Sequence, residues 1–311
     1  MLYFRWRGMT KGAEQFCYGI VDHDDVYGRK YKEVQSVFGE IKDYGNLLDT
    51  PIDSEVAVLY DYDSIWSWRS QVQSKDFDFN TELLRLYRPF YQKNVHVDVI
   101  PSDRDFSKYK VIVLPVMIIL EEELADRLKQ FAQDGGTILF SFRAGLKDKA
   151  NNLRLGHVLP GPVRELVGAR VEEIESLPSG NGVSLGGLGE FYDIPATISV
   201  WRDLLVPEQA EALYQYTDRF FSDYAAITKN NYGKGTVYYI GGGVTKEPLD
   251  KIAEDVLEHH QIDTIDSPDS VEVYRRNYDG KNYLFMMNHS EEEKVFKGIV
   301  LAPYESKIVE E

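Results

Sequence analysis

Residues 55–60 read EVAVLY, a short and almost uninterrupted apolar run. Similar runs at 95–100, 110–114 and 137–142 alternate with helical patterns at 81–91 and 121–133. Short buried strands that alternate with helices are typical of a parallel sheet covered on both faces. A further strand at 236–240 and a helix at 247–259 are predicted to close the same sheet. The sequence therefore predicts an α/β domain.

The segments on either side of this domain have different patterns. Apolar residues recur at helical spacing over residues 30–48, which predicts an amphipathic helix, and Asp49-Thr50-Pro51 ends it. After residue 268, predicted strands at 271–276 and 282–287 flank Asp279-Gly280, a two-residue hairpin signal, and strands at 295–300 and 306–309 follow. The less regular stretch 144–222, which is rich in glycine around residues 179–189, is expected to hold loops and inserted strands. These patterns predict domains at 1–50, 51–266 and 267–311.

Composition restricts the possible partners. The 311 residues carry 35 basic and 51 acidic side chains, a formal charge of -16, and this field repels phosphate backbones. Nucleic acid is therefore not expected as a partner, and no apolar run approaches the roughly 20 residues needed to cross a membrane. Cys17 is the single cysteine, which excludes an intrachain disulfide and a multi-cysteine metal site. A cytoplasmic location is expected.

No cofactor is predicted from the motifs. Gly241-Gly242-Gly243 precedes a helix but lacks the lysine of a P-loop and the spacing of a dinucleotide site. His259 and His260 are adjacent, so on a helix they point about 100° apart and cannot chelate one metal ion. A favourable charge at the helix C-terminus is the role expected for them.

The N-terminal stretch YFRWRGMTKGAEQFC, residues 3–17, predicts a strand from Tyr3 to Arg7, a loop and a short helix that carries Glu14 and Gln15. It resembles the last β/α unit of the barrel in the β-galactosidases of glycoside hydrolase family 42. The resemblance continues through Asp22, His23 and Gly28-Arg29-Lys30. It implies that a trimer-forming domain and a small β domain follow, and that the catalytic carboxylates lie upstream, so that the chain is the rear half of an enzyme.

The resemblance also implies a substrate-binding role for Glu14 and Trp6 and no catalytic residue. Glu14 matches a glutamate that binds galactose hydroxyls, whereas Cys17 stands where the family often has a sugar-contacting histidine. The alternative for Glu14 is a local cap or salt bridge. Residues 143–152, RAGLKDKANN, resemble the family's R-x-G-x-K-D-x-x-N segment, which implies a contact near the active-site mouth or between subunits. The alternative is a polar loop whose side chains make local turns.

The first four predicted strands resemble a flavodoxin-like, or class I glutamine-amidotransferase-like, sheet. An amidotransferase needs a cysteine on the turn after a central strand, but residues 140–145 read FSFRAG. Ser141 lacks the small neighbours that would present it as a nucleophile. An aromatic cluster, defined as Tyr60, Tyr62, Trp66 and Trp68, follows the first strand, where open sheets bind ligands. The aromatic cluster is expected either to stack on a sugar or to pack in a subunit interface.

Together these observations predict the C-terminal part of a retaining, β-galactosidase-like glycosidase. It would form a homotrimer and supply one side of the site for a β-galactoside in the complete enzyme. Because the pair of catalytic carboxylates is absent, the chain alone is predicted to be inactive. The alternative is a stand-alone carbohydrate-binding or regulatory module with an amidotransferase-like fold.

Overall fold

The computed structural model describes residues 2–15, 17 and 19–311. In that part of the chain the α-helices are α1 (Arg29–Leu48), α2 (Tyr62–Ser70), α3 (Phe79–Tyr91), α4 (Glu122–Asp134), α5 (Arg164–Val167) and α6 (Lys246–His259). The strands are β1 (Val56–Tyr60), β2 (Val97–Pro101), β3 (Val111–Leu114), β4 (Thr137–Ser141), β5 (Ala169–Ser176), β6 (Val183–Gly187), β7 (Ala196–Pro207), β8 (Glu211–Tyr216), β9 (Ala225–Tyr232), β10 (Gly235–Ile240), β11 (Gly242–Val244), β12 (Val271–Tyr278), β13 (Lys281–Asn288), β14 (Lys294–Phe296), β15 (Ile299–Leu301) and β16 (Ser306–Glu310).

The chain divides into two compact units. One combines the first 52 residues with 275–285 and 308–311, and the other contains 53–274 and 286–307. The second unit holds a large mixed sheet that comprises β1 to β11. Small antiparallel sheets follow it along the chain, so the coarse prediction of an α/β fold with a small β region is confirmed.

One half of the large sheet is parallel. Its strands lie in the order β2-β1-β3-β4-β10, and each neighbouring pair runs in the same direction. All five strands and the helices α3, α4 and α6 were predicted from the apolar runs. Alternate residues of β1 enter two cores: Val56 and Val58 pack in the core that includes side chains of α3 and α6, whereas Ala57 and Leu59 pack in the core with α4. Burial on both faces explains the continuous apolar run.

The other half of the sheet is antiparallel, and its strands β5 to β8 lie in the stretch predicted as loops and inserted strands. β7 is 12 residues long and pairs with β5, β6, β9 and β11. β9 then pairs with β10 and joins the antiparallel half to the parallel half. This arrangement brings residues near position 201 beside the end of β4.

Two tight hairpins shape the C-terminal strands. Asp279 and Gly280 have φ of 51° and 75°, as a two-residue turn between β12 and β13 requires, so this prediction is confirmed. A continuous strand over 295–300 was also predicted, and this is wrong. Lys297 and Gly298 have φ of 47° and 78° and turn the chain, so that β14 and β15 pair as a second hairpin. The left-handed backbone at both positions is incompatible with a strand.

The predicted strand and short helix of the N-terminal stretch are also wrong. Among the described residues 2–15, pairing is confined to a single parallel bridge between Arg7 and Val21, and residues 10–15 form bends and turns. A strand needs a ladder of partners along its length, and the described chain supplies one bridge at Arg7. A helical pattern of so few residues cannot offset the cost of nucleation. The helix predicted over 30–48 is confirmed as α1.

Candidate functional site

The N-terminal stretch is a loop held at its base by backbone hydrogen bonds. The amide of Ile20 donates to the carbonyl of Arg5 at 3.1 Å, and the amide of Val21 donates to the carbonyl of Trp6 at 2.9 Å. A ring nitrogen of His23 lies 2.8 Å from the carbonyl oxygen of Met9. Glu14 lies in the turn at residues 13–15 and Cys17 in a bend, between these two pinned positions in the sequence.

The two residues predicted to bind substrate, Glu14 and Trp6, are exposed on this unit, and so is Cys17. The Glu14 carboxylate lies 3.8 Å from the guanidinium of Arg5, and about half of its side chain is exposed. Trp6 is 54% exposed and contacts the Tyr31 ring edge-on, with the ring centroids 6.0 Å apart. The amide of Cys17 donates to the Glu14 carbonyl at 3.2 Å, and Cys17 is an exposed free thiol. The long ion pair contributes little, because exposed pairs are typically worth less than about 1 kcal/mol.

In the second unit, the aromatic cluster divides into an exposed part and a buried part. Tyr62 and Trp66 of α2 are both more than half exposed, with ring centroids 5.9 Å apart. Trp68 is buried, donates its indole N–H to the carbonyl of Val116 at 3.0 Å and packs 5.8 Å from Trp201. Trp68 therefore belongs to the core, Tyr60 is half-buried, and Tyr62 and Trp66 are the exposed rings of the cluster.

A buried polar cluster lies at the carboxyl end of β4. Arg143 follows β4 with φ of 58°, is 5% exposed, and stacks its guanidinium 3.6 Å from the centroid of the Trp201 ring. Its backbone amide donates to Asp203 Oδ2 at 2.8 Å, and the hydroxyl of Tyr239 donates to the same oxygen at 2.7 Å. Burial raises the pKa of Asp203 to about 6. Burial also lowers the pKa of Arg143.

The neighbouring cation, Lys147, has only neutral hydrogen-bond acceptors among the described residues. Its ammonium donates to the oxygens of Gln71 at 2.7 Å, Asn151 at 3.0 Å and Ser67 at 3.2 Å. Lys147 is 4% exposed, and this burial lowers the pKa of its ammonium. The Arg143 guanidinium likewise donates to a neutral acceptor, the side-chain oxygen of Gln73, at 2.7 Å.

Ser141, the last residue of β4, has a structural role. Ser141 is buried, and its hydroxyl accepts a 2.6 Å hydrogen bond from the amide of Val116. The hydroxyl therefore satisfies a buried backbone amide. The charge role expected for the paired histidines is wrong for His260, because burial lowers its pKa to about 4 and its ring nitrogen lies 2.8 Å from the hydroxyl of Thr137.

The sequence prediction found Arg143 and Lys147 through the 143–152 segment but missed Trp201 and Asp203. These two residues are separated by one position on β7, so they share one face of the strand. The sequence signal that could have found Asp203 is a carboxylate in a strand that is otherwise mostly apolar. Within the described part of the chain, no group of three or more potential metal ligands occurs, and no helix is long and apolar enough to span a membrane.

Three family descriptions match successive parts of the chain. Residues 1–44 match "Beta-galactosidase", residues 54–263 match "Beta-galactosidase trimerisation domain", and residues 270–311 match "Beta-galactosidase C-terminal domain". The fold and sequence thus define a glycosidase-related protein. The chain belongs to the β-galactosidase family, glycoside hydrolase family 42, as the N-terminal resemblance implied.

Individual relatives agree with this assignment. The chain is 30% identical over 313 aligned residues to β-galactosidase BgaB of a Geobacillus strain, an alignment that covers 96% of this chain and 46% of BgaB. The solved structure of Gan42B, a GH42 β-galactosidase from G. stearothermophilus, matches all of this chain and 48% of its own with a TM-score of 0.91 at 28% identity. The β-galactosidase of Halorubrum lacusprofundi matches with a TM-score of 0.86 at 30% identity, over 99% of this chain and 47% of its own. The chain thus spans about half the length of its relatives and is homologous to part of these enzymes, which does not favour a stand-alone binding module.

Proposed function

We propose that the chain acts as the C-terminal part of a β-galactosidase-like retaining glycosidase, supplying oligomerisation and one side of the sugar site. The observation that carries this proposal is the succession of three β-galactosidase family matches along a chain about half as long as its relatives. Retaining hydrolysis needs two carboxyl groups about 5 to 5.5 Å apart, and by resemblance both belong to a preceding part of the enzyme.

Trp6 and Glu14 would form this chain's side of the sugar site. The Trp6 ring is more than half exposed and can stack on the apolar face of a sugar. The Glu14 carboxylate has a long, exposed ion pair with Arg5, so little is lost when it turns to accept hydrogen bonds from sugar hydroxyls. Cys17, on the same turn, offers only a weak donor where the family often has an imidazole.

Complementation would test this role. The chain is mixed with a polypeptide that comprises the first half of Gan42B, and hydrolysis of a chromogenic β-galactoside is measured. We expect no turnover by the chain alone and turnover by the mixture. Glu14→Gln should abolish most of that turnover, whereas Glu33→Gln, the same change in an exposed ion pair on α1, should retain it. Turnover by the chain alone, or equal activity of the two variants, would contradict the proposal.

Cys17→His offers a gain-of-function test in the same mixture. An imidazole at this position restores a strong hydrogen-bonding group to the sugar side of the turn. We expect a lower KM for the galactoside than in the mixture with Cys17. An unchanged or higher KM would mean that position 17 does not face the sugar.

The complete enzyme is further proposed to be a homotrimer. The largest family match carries the description of a trimerisation domain, and α2 presents the exposed rings of Tyr62 and Trp66. Leu153 and Leu155 are exposed on the loop after Asn151, whose side-chain oxygen accepts a 2.6 Å hydrogen bond from Ser67 of α2. Exposed apolar side chains on adjacent elements are typical of interaction surfaces.

Light scattering over a wide range of protein concentration would measure the assembly. We expect a trimer mass for the chain and a lower mass for Trp66→Ser. Phe220→Ser removes another strongly exposed aromatic residue, outside α2 and the loop after Asn151, and should leave the mass unchanged. A monomeric mass at all concentrations would count against the trimer.

The finer fold assignment is also a proposal. Numbered along the chain, the five parallel strands lie in the order 2-1-3-4-5, and this order supports a flavodoxin-like, amidotransferase-like label. The division into a barrel remnant at 1–50, a trimerisation domain at 51–266 and a small β domain at 267–311 remains a prediction. Limited proteolysis with cleavage confined to residues 49–53 and 263–269 would support it. A cytoplasmic location remains a prediction as well.

A further inference from the structure

We propose that Arg143 and Lys147 form a binding site for a small oxyanion of the size of phosphate, at the carboxyl end of β4. This site goes beyond the proposed glycosidase role and lies entirely within the second unit. Its ligand would enter beneath the surface segment 71–78, which connects α2 to α3.

Among the described contacts, neither cation has an ion pair or a side-chain hydrogen bond to a carboxylate, although the charge of Asp203 attracts the Arg143 guanidinium. Arg143 is 5% exposed and Lys147 is 4% exposed. Their side-chain donors reach amide and hydroxyl oxygens. The nearby carboxylate, Asp203, accepts from the backbone amide of Arg143 and from Tyr239, and the described contacts include no bond to it from the guanidinium. A buried charge is costly unless an opposite charge or a ligand compensates it, so two neighbouring buried cations of this kind suit an anion.

Two further donors in the cluster are unused. The Nε atom of Arg143 is buried without a hydrogen-bond partner, as is the indole nitrogen of Trp201, whose ring stacks on the guanidinium. Unpaired buried donors are rare in folded proteins and call for a specific explanation. Guanidinium groups bind tetrahedral oxyanions through several N–H groups at once, which would use the free Nε.

Two glutamines separate these cations from an existing cavity. Gln71 accepts from Lys147 and Gln73 accepts from Arg143, and both side chains also line a cavity of about 120 Å³ under segment 71–78. That volume holds about four water molecules at roughly 30 Å³ each, enough for phosphate. Because both glutamines are exposed, rotation of their side chains would join the cavity to the two cations without unfolding the segment.

The other charges around the cavity agree with an anionic ligand. Arg69 also lines it and adds a third cation. The Asp78 carboxylate lines it too, but this group caps α3 by accepting from the amide of Thr81 at 2.8 Å and its hydroxyl at 2.9 Å. The net charge of -16 opposes anions at long range, yet salt screens that field beyond about 8 Å at physiological ionic strength. The charges close to the cavity therefore matter more than the net charge.

Titration calorimetry and thermal unfolding of the full chain with inorganic phosphate would test the site. Sodium chloride at matched ionic strength serves as the reference. We expect saturable phosphate binding and a melting temperature that rises with phosphate but not with chloride. Absence of a saturable, phosphate-specific effect in the wild-type chain would overturn the proposal.

Gln73→Glu is the decisive variant, because it offers Arg143 a carboxylate in place of the ligand. We expect a loss of roughly ten- to hundredfold in phosphate affinity, as expected for one charge-assisted hydrogen bond, and a higher melting temperature without phosphate. Lys147→Met, which keeps the length of the side chain without its charge, should also weaken binding by at least tenfold.

Gln209→Glu introduces the same charge change at an exposed position and should leave phosphate affinity unaltered. An equal loss in this control would show that only net charge matters and would overturn the site. Unaltered phosphate affinity in Gln73→Glu, or a lower melting temperature without phosphate, would overturn it as well, since either result means that Arg143 does not need an anion.

Discussion

Replacement of Asp203 by asparagine should stabilise the protein at neutral pH. Asp203 is fully buried on β7, where its Oδ2 accepts hydrogen bonds from the amide of Arg143 and the hydroxyl of Tyr239. Burial raises its pKa from 3.8 to about 6, because the charged carboxylate loses its hydration. The amide oxygen of asparagine can accept the same two hydrogen bonds and carries no charge to desolvate.

The direction of the stability change follows from the linkage between folding and proton binding. Between about pH 4 and pH 6 the folded carboxyl holds its proton and the unfolded one has lost it, so stability falls as pH rises through this window. The difference between 3.8 and about 6 corresponds to about 3 kcal/mol, at roughly 1.4 kcal/mol per pKa unit. Asparagine resembles the protonated form at every pH. The variant should therefore gain up to about 3 kcal/mol at pH 7 and almost nothing below pH 4.

Urea unfolding monitored by tryptophan fluorescence would measure this gain at several pH values from 4 to 7.5. The protein concentration should be low and constant, because the sequence pI is about 4.9 and assembly shifts apparent stability. Other titrating groups cancel in the difference between variant and wild type. Asp223→Asn, an exposed control for the same exchange, should show no such pH-dependent gain. A difference that does not grow between pH 4 and 6, or destabilisation at pH 7, would refute the reasoning.

Three further predictions concern stability and the Cys17 loop. Ser141→Ala should lower the free energy of unfolding in urea by about 1 to 3 kcal/mol, because it leaves the buried amide of Val116 without its 2.6 Å acceptor. Ser70→Ala, at the end of α2, is the control and should lower it less. Gly280→Ala should lower stability by about 1 kcal/mol, because φ is 75° there, with an unchanged melting curve counting against the tight turn. A thiol reagent should modify Cys17 rapidly in the folded chain, and slow modification would contradict its exposure.

Much of the fold could be predicted from local patterns. The five parallel strands and the helices α3, α4 and α6 came from apolar runs and helical spacing, since a strand buried on both faces must be apolar at successive positions. The hairpin at Asp279-Gly280 came from turn chemistry alone. Lys297-Gly298 was missed because lysine at a left-handed position gives a weaker signal than asparagine or aspartate. The N-terminal strand was predicted on residue type, but β structure depends on partners.

The sequence by itself determined the family, the α/β class and the membership of Arg143, Lys147 and Asn151 in one segment. Each of these depends on residues close together along the chain. Only the tertiary structure placed Trp201 and Asp203 beside Arg143, about 60 positions away, and Gln71 and Gln73 over the two cations. These contacts arise because β7 pairs across the antiparallel half of the sheet while β4 ends in the parallel half. The strand pairing of β7 created the buried polar cluster. Local residue patterns do not specify which distant side chains strand pairing brings together.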